Sequence, residues 1–286
     1  MKLNHRVCVL VIVNIALFGC VSKSLPPTPA QTAIQTLSPT QVPLTATPVP
    51  SPTQTATLTP PATLEPEQAQ ETIQGLLREP VDCDAPCFWG IVPGQTTLGE
   101  AVNIFTRLGL QTKKIRLDKK EFYSIDHDFD NGVSIGVNLT TQDKLVENLR
   151  IYITPEKQKA GVPRMWSAYS PETLIKRYGL PSRVGFAVDR GPHHAFEMVI
   201  YFDSVDLIAE YSGHNILGGT VASPQVCPLT DQFDSVGIWM GKNPEYPPYE
   251  GIPLDKVTSM TMEEFSKLIT GTSNNACFNL KGEAFP

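Results

Sequence analysis

The sequence predicts an α+β protein: two helix-then-antiparallel-meander repeats and a C-terminal helical segment, preceded by a disordered stalk. The chain of 286 residues opens with an apolar run and a Thr/Pro-rich stretch, which leave about 220 residues for a folded region. Within that region, apolar residues at helical spacing are twice followed by apolar residues that alternate along the chain, as in strands with one buried face. Capping residues stand where the helices should begin.

The first nineteen residues are typical of a secretory signal. Lys2 and Arg6 provide a basic start, and residues 7–18 form an almost uninterrupted apolar run of twelve. Because a membrane-spanning helix needs about 20 apolar residues, a run of this length favours a signal peptide over an anchor. We therefore predict that residues 1–19 are removed.

The signal ends in Leu17-Phe18-Gly19-Cys20, which resembles the lipobox of bacterial lipoproteins. The resemblance implies cleavage before Cys20, a diacylglyceryl group on its thiol and an acyl chain such as palmitate on the new amino terminus. Several acyl chains on one residue anchor a protein stably. We therefore expect an extracytoplasmic lipoprotein, at the cell surface or in the periplasm, whose first partner is the membrane.

Residues 20–66 are predicted to be a lipid-anchored, disordered stalk. Residues 25–66 contain eleven Pro and eleven Thr, with almost no charge. Such a segment cannot bury enough apolar surface to offset its conformational entropy, and it is biased towards polyproline II. The plain interpretation is a spacer, and an O-glycosylated stalk is the alternative.

The charge of the chain argues against one class of partner. Removal of Lys2 and Arg6 with the signal changes the formal net charge from −6 to −8. Phosphate contacts dominate the affinity of nucleic-acid-binding proteins, so we expect no nucleic-acid partner.

Four cysteines remain after the signal and the lipid site: Cys83, Cys87, Cys227 and Cys277. Disulfides are favoured in exported domains, and four cysteines allow three pairings. We favour Cys83–Cys87, which closes a tight loop, with Cys227–Cys277, whose long loop is worth about 4 kcal/mol in the chain-entropy model. The spacing fits neither a zinc ribbon nor a redox Cys-x-x-Cys motif, so we predict no metal and no cofactor.

The folded region, residues 67–286, is predicted to begin with a short helix over 65–78 that leads out of the stalk. The first repeat, about 83–155, then has a helix capped by Thr96 or Thr97 with Glu100 in a capping box, and the helix ends at Gly109. Alternating apolar residues predict strands around 133–139 and 149–153.

The second repeat spans about 165–222. Ser170 is the expected N-cap and Pro171 the first helical residue, and the helix should stop at Gly179. Strands are predicted around 198–202 and 207–211, joined by a turn at Asp203-Ser204.

The C-terminal segment, 223–286, is predicted to carry a helix over 261–269, capped by Thr261 and Glu264. The aromatic residues Phe233 and Trp239, with the sequence at 246–249, indicate either a recognition surface or the core of an irregular subdomain.

Residues 93–97, the Leu108-Gly109 helix end and the turn at 178–184 together resemble the β-lactamase-inhibitor-protein-like repeat and the small outer-membrane-assembly lipoprotein. The resemblance covers about residues 89–213. It implies a helix pair packed on an antiparallel sheet, and binding rather than catalysis. It assigns no functional residue.

Two polar segments are candidate metal sites. Residues 126–132 begin like a calcium loop, but the sixth position is Asn131 and the twelfth is Val137, so a hairpin turn is the better interpretation. His193 and His194 are adjacent, and neighbours on a strand point to opposite faces. No motif predicts a catalytic residue.

We therefore expect a non-enzymatic, lipid-anchored module that binds an envelope protein or a surface polymer. The alternatives are an exported hydrolase with a site assembled from scattered residues, and a structural spacer or assembly factor.

Overall fold

The computed structural model describes residues 62–285 apart from short gaps. The gaps are 80–82, 84–85, 118–119, 130–132, 155–165, 190–194, 214–217, 221, 229–232, 243, 245–246 and 272–276. The predicted signal, Cys20 and the stalk up to residue 61 lie outside the described residues.

The described chain forms five α-helices and twelve β-strands. The helices are α1 Pro66–Arg78, α2 Leu98–Arg107, α3 Pro171–Tyr178, α4 Leu254–Val257 and α5 Met262–Thr270. The strands are β1 Lys113–Leu117, β2 Lys120–Asp128, β3 Ser134–Gln142, β4 Leu145–Thr154, β5 Arg183–Val188, β6 Phe196–Phe202, β7 Leu207–Gly213, β8 Gly218–Thr220, β9 Ser223–Val226, β10 Ser235–Met240, β11 Ile252–Pro253 and β12 Phe278–Asn279.

Nine strands form one sheet in the order β1-β2-β3-β4-β10-β7-β6-β5-β11, and every neighbouring pair is antiparallel. A second, three-stranded sheet has the order β12-β9-β8. The mixed α/β class with a large antiparallel sheet agrees with the prediction. The helix α2 precedes four strands and α3 precedes three, on opposite sides of β10.

The helices α2 and α5 begin where their capping residues predict. The hydroxyl of Thr97 accepts the amide of Glu100, whose carboxylate accepts the Thr97 amide in return. The same reciprocal pair joins Thr261 and Glu264 at the start of α5. These bonds satisfy amides that a helix leaves unpaired at its first turn.

The helix α3 follows the same principle at both ends. The hydroxyl of Ser170 accepts the amide of Thr173, and Pro171 occupies the first helical position. Gly109 after α2 and Gly179 after α3 have φ angles of 71° and 82°, in the left-handed region that glycine adopts without strain.

The core lies on one side of the large sheet, here called the inner face. In its central rows, Ile238 of β10 stands between Ile151 of β4 and Ala209 of β7. Buried side chains of α1, α2, α3 and α5, such as Leu77 and Phe265, pack in the same cluster. One core therefore joins both halves of the sheet to the helices.

The role of β10 differs from the prediction. Residues 223–286 were expected to form a separate helical segment, yet Ser235–Met240 is the central strand of the sheet and pairs with both β4 and β7. Five of its six residues are buried, so the strand shows no apolar alternation. A short continuous apolar run does not reveal by its pattern that it is a strand.

The aromatic residues of this segment were assigned to a surface or to a subdomain of their own. Instead, Phe233 belongs to the common core, and Trp239 lies in β10. Tyr249 is 70% exposed. The helix predicted over 261–269 is confirmed as α5.

The folded region begins slightly earlier than predicted. Leu64, which was placed in the stalk, packs against the core, and its amide donates to the carbonyl of Arg107 at the end of α2. The described chain therefore enters the domain beside the C-terminus of α2.

Two disulfides are present, Cys83–Cys87 and Cys227–Cys277. The second links the end of β9 to the start of β12, where Val226 pairs with Phe278. It therefore joins two neighbouring strands of the small sheet. Among the described residues, no helix has both the length and the apolar character to cross a membrane.

Candidate functional site

Those residues singled out in the sequence that the structure describes do not converge on one site. Cys20, His193 and His194 lie outside the described residues. The four remaining cysteines form disulfides. In the part of the chain that the structure describes, no group of three or more His, Cys, Asp or Glu is placed to hold a metal ion.

The segment that began like a calcium loop belongs to a β-hairpin. The strands β2 and β3 pair on either side of it, with Asp128 opposite Ser134, and the amide of Phe129 donates to the carbonyl of Val133. Residues 130–132 themselves lie outside the described chain. The pairing supports the hairpin interpretation.

The chemically distinctive region is the side of the sheet that faces away from the core, here called the outer face. Val199, Tyr201 and Trp239 are at most 3% exposed, yet none of them belongs to the core cluster. Their strands alternate, so they point to the side opposite Ile200 and Ile238. The outer face thus has its own buried centre.

Four side chains around β10 form what we call the outer-face cluster: Arg150, Tyr152, Glu210 and Trp239. Arg150 and Tyr152 are alternate residues of β4, and Arg150 stands opposite Trp239 in the register. Glu210 of β7 stands opposite Gly237. The cluster therefore draws on both halves of the sheet and is completed only by β10.

Gly237 makes room for the cluster. A Cβ atom at this position would lie 2.6 Å from two carbon atoms of the Trp239 ring and 3.4 Å from a carboxylate oxygen of Glu210. The indole therefore lies back across its own strand, over the glycine. Any larger residue at 237 would displace the ring or the carboxylate.

Arg150 stacks on both aromatic rings. Its guanidinium carbon lies 4.2 Å from the ring centroid of Tyr152 and 5.2 Å from that of Trp239. The two rings meet edge to face, with their centroids 6.0 Å apart. Such stacking holds a cation over aromatic faces and restricts its side chain before any ligand arrives.

Within the described part of the chain, several buried polar atoms of the outer face have no hydrogen-bond partner. They are Nε of Arg150 and the hydroxyls of Tyr152 and Tyr201. Folded proteins pair nearly all such atoms, because an unpaired buried donor costs about 1–3 kcal/mol. Three of them on one face of one sheet are consistent with a bound polar partner or ordered water.

Two carboxyl groups share this face. Burial, with a smaller contribution from nearby Glu197, raises the pKa of Glu210 to about 7, and Arg150 opposes the shift. Burial also raises the pKa of Glu197, on the neighbouring strand β6. Val199 is the residue opposite Glu210, so the two glutamates are diagonal neighbours. Near neutral pH, Glu210 can accept or donate a proton.

At the side of the cluster nearer β5, a second cation stacks on a tyrosine. The guanidinium carbon of Arg183 lies 3.8 Å from the ring centroid of Tyr201. Arg183 also pairs with the carboxylate of Glu250, at 2.9 Å. The Glu250 carbonyl lies over Gly185, where a Cβ atom would collide with it.

A groove of about 500 Å³ opens at one end of the sheet, where its two halves meet. One wall comes from Pro86 and 92–95, beside the Cys83–Cys87 loop, and the others from 204–206 and 240–242. Gly241 is required there, because its φ is 110° and a Cβ atom would collide with the Glu147 carbonyl.

No family model matches the chain, and neither the curated proteins nor the solved structures include a significantly similar one. The function is therefore inferred from the chemistry of the outer face. That face offers a fixed guanidinium, phenol hydroxyls and a carboxyl that titrates near neutrality. Together they can donate to and accept from a polar ligand.

Proposed function

We propose that this protein is a lipid-anchored extracytoplasmic binding module whose ligand contacts the outer face of the large sheet. The anchor is the lipid on Cys20, and residues 20–61 are the stalk. The two helix-and-strand units on either side of β10 are the proposed repeats. The partner is a protein or a polymer of the cell envelope.

The observation that carries the proposal is the set of unpartnered buried atoms at Arg150, Tyr152 and Tyr201. A ligand with hydroxyl, amide or carboxylate oxygens would accept from Arg150 Nε and from either phenol. Glu210, beside Trp239, would then bind a donor of the same ligand. Buried polar groups that await a partner discriminate strongly against ligands that cannot pair with them.

Two further findings are compatible with an extracytoplasmic location. Disulfides such as Cys83–Cys87 and Cys227–Cys277 are favoured in oxidising compartments. In the described region, no helix is long and apolar enough to cross a membrane.

The anchor is tested by cell fractionation. Native protein should enter the detergent phase with the membranes, whereas Cys20→Ala should not. If Cys20→Ala also stays with the membranes, the apolar run at 7–18 is an uncleaved anchor and the lipoprotein assignment is wrong. If both forms are soluble, the protein is secreted freely.

The binding function is tested with chain 21–286, which lacks the lipid, on isolated envelopes of the native cell type. The double variant Arg150→Met with Tyr152→Phe should bind at least about tenfold more weakly, which corresponds to about 1.4 kcal/mol. The matched control is Lys256→Gln, an exposed change that should bind like the native chain. Equal binding by the outer-face variant would contradict the proposal.

A hydrolase is the second candidate, because Glu197 and Glu210 are neighbouring carboxyls with raised pKa values. A carboxyl that titrates near 7 suits a general acid. If the envelope polymer is cleaved after binding, Glu210→Gln should still bind and should lose the cleavage. If the native chain does not cleave the polymer, the hydrolase candidate is rejected and the binding function remains.

A further inference from the structure

A group of basic side chains at one edge of the large sheet lies apart from the outer-face cluster. Residues 101–117 contain four basic residues and no acidic one, in a chain whose net charge is negative. The four are Arg107, Lys113, Lys114 and Arg116, and all are exposed. Arg107 ends α2, and the other three lie in β1, which among the described strands pairs with β2 alone and is an edge of the large sheet.

An exposed apolar side chain lies among these cations. Ile115 is 46% exposed, and within the described residues only two other large apolar side chains, Leu180 and Tyr249, are exposed as well. Lys114 pairs with Glu121 at 2.7 Å, and its ammonium lies 5.9 Å from the Tyr123 ring. The edge thus presents cations around one accessible apolar group.

Lysines on an edge strand also prevent pairing with other sheets, which is a sufficient reason for one or two of them. The position of this edge adds a second reason. The amide of Leu64, where the stalk joins the domain, donates to the carbonyl of Arg107. Lys113 follows six residues later, so it lies within about 20 Å of that point along the chain.

We propose that the basic edge formed by Arg107, Lys113, Lys114 and Arg116 docks the domain on the anionic phospholipid headgroups of its own membrane. The charges are complementary, and Ile115 can enter the interface between headgroups. The chain enters the domain at Leu64, beside Arg107 of this edge, so the edge lies close to the point where the proposed stalk is attached.

Because the proposed stalk holds the domain near the membrane, a weak contact with the headgroups is sufficient for docking. Residues 20–61 can span at most about 130 Å, at about 3.1 Å per residue in polyproline II. A domain held at this range meets the membrane at a high effective concentration, so docking needs little affinity of its own. The orientation argument rests on the proposed lipid anchor, whereas the headgroup contact is testable without the lipid.

The test uses chain 21–286 and sedimentation with vesicles of phosphatidylcholine, with and without phosphatidylglycerol. Binding should be at least about tenfold stronger with phosphatidylglycerol. It should fall steeply as salt rises above about 0.1 M, where screening shortens the Debye length below about 10 Å. A chain that does not distinguish the two vesicles would overturn the proposal.

The variant Lys113→Gln with Lys114→Gln and Arg116→Gln should lose most of the vesicle binding. The control Lys256→Gln with Lys267→Gln and Lys281→Gln removes the same charge from exposed positions elsewhere and should keep it. Equal losses in both variants would show a general charge effect and reject the basic edge. Circular dichroism of both variants confirms that the sheet is intact.

Two further measurements separate the possible outcomes. Arg150→Met with Tyr152→Phe should bind vesicles like the native chain, so a failure of the outer-face site leaves this result unchanged. Binding to soluble linear polyphosphate without binding to phosphatidylglycerol vesicles would assign the edge to an anionic polymer and reject membrane docking.

Discussion

The inner and outer faces of the nine-stranded sheet are made by the same strands and are organised differently. On the inner face, Ile151, Ile238 and Ala209 form a row of apolar side chains under the helices. On the outer face, the next row brings together Arg150 and Trp239. The stability of the inner face depends on the apolar area that is removed from water. The arrangement of the outer face depends on specific contacts between individual side chains.

The comparison shows where tolerance to substitution should differ. An apolar core accepts residues of similar volume, because its stabilisation is roughly proportional to buried area. A cluster such as Arg150 on two aromatic rings depends on the placement of each group. Changes to the outer face should therefore alter binding or titration more than they alter folding.

The largest expected loss of stability comes from a substitution on the inner face. Ile238→Ala should lower the free energy of unfolding by about 3 kcal/mol, because it leaves a cavity in the centre of the sheet. Ile208→Ala, on the outer face opposite Trp239, should cost about 1 kcal/mol, since Ile208 is only partly buried. Urea denaturation of both variants checks the difference. Equal losses would mean that the outer face is packed as a second core.

The next largest effect is expected at Gly237, where the absence of a side chain leaves space for the Trp239 ring. Gly237→Ala should cost about 1–3 kcal/mol and change the fluorescence of Trp239, because the new methyl group meets the indole at 2.6 Å. Gly136→Ala is the matched control in the same outer row, where the methyl group meets only an Asp126 oxygen, at 3.4 Å. Thermal melts of both variants measure the loss of stability, and emission spectra measure the change in Trp239 fluorescence. An unchanged spectrum for Gly237→Ala would exclude the described position of the ring.

The smallest effect depends on pH. Because burial raises the pKa of Glu210 from 4.5 to about 7, the folded state favours the protonated carboxyl. Stability on this account is greatest below pH about 4.5 and falls as pH rises through about 7. Glu210→Gln should therefore stabilise the protein at pH 8 and lose that advantage towards pH 5.

The pH dependence is measured by denaturation at several pH values. Glu263→Gln, an exposed change on α5, serves as the control and should give a constant difference. If the two variants behave alike, Glu210 is ionised in the folded protein at neutral pH, and its role as a proton donor fails.

Part of the outer face was readable from the sequence. Alternation around Ile151 places Arg150 and Tyr152 away from the core, and alternation around Ala209 does the same for Glu210. No local pattern indicates that these two strands lie close together in the sheet. The strand that lies between them, Ser235–Met240, is buried on both faces and shows no alternation.

The sequence alone established the features that depend on interactions between nearby residues. The capping pairs Thr97/Glu100 and Thr261/Glu264 fixed the starts of α2 and α5, because these bonds form within a few residues. The preferred pairing of the four cysteines was also correct. The signal, the lipid on Cys20 and the stalk are expectations from pattern alone.

Only the tertiary structure decided that β10 closes the sheet, and with it the composition of the outer-face cluster. Arg150 and Glu210 are 60 residues apart in the chain and become neighbours because β10 pairs with the strand of each. Strand pairing over such separations depends on the packing of the whole sheet and not on any local preference. That is the physical reason why the sequence indicated the elements and the fold decided the site.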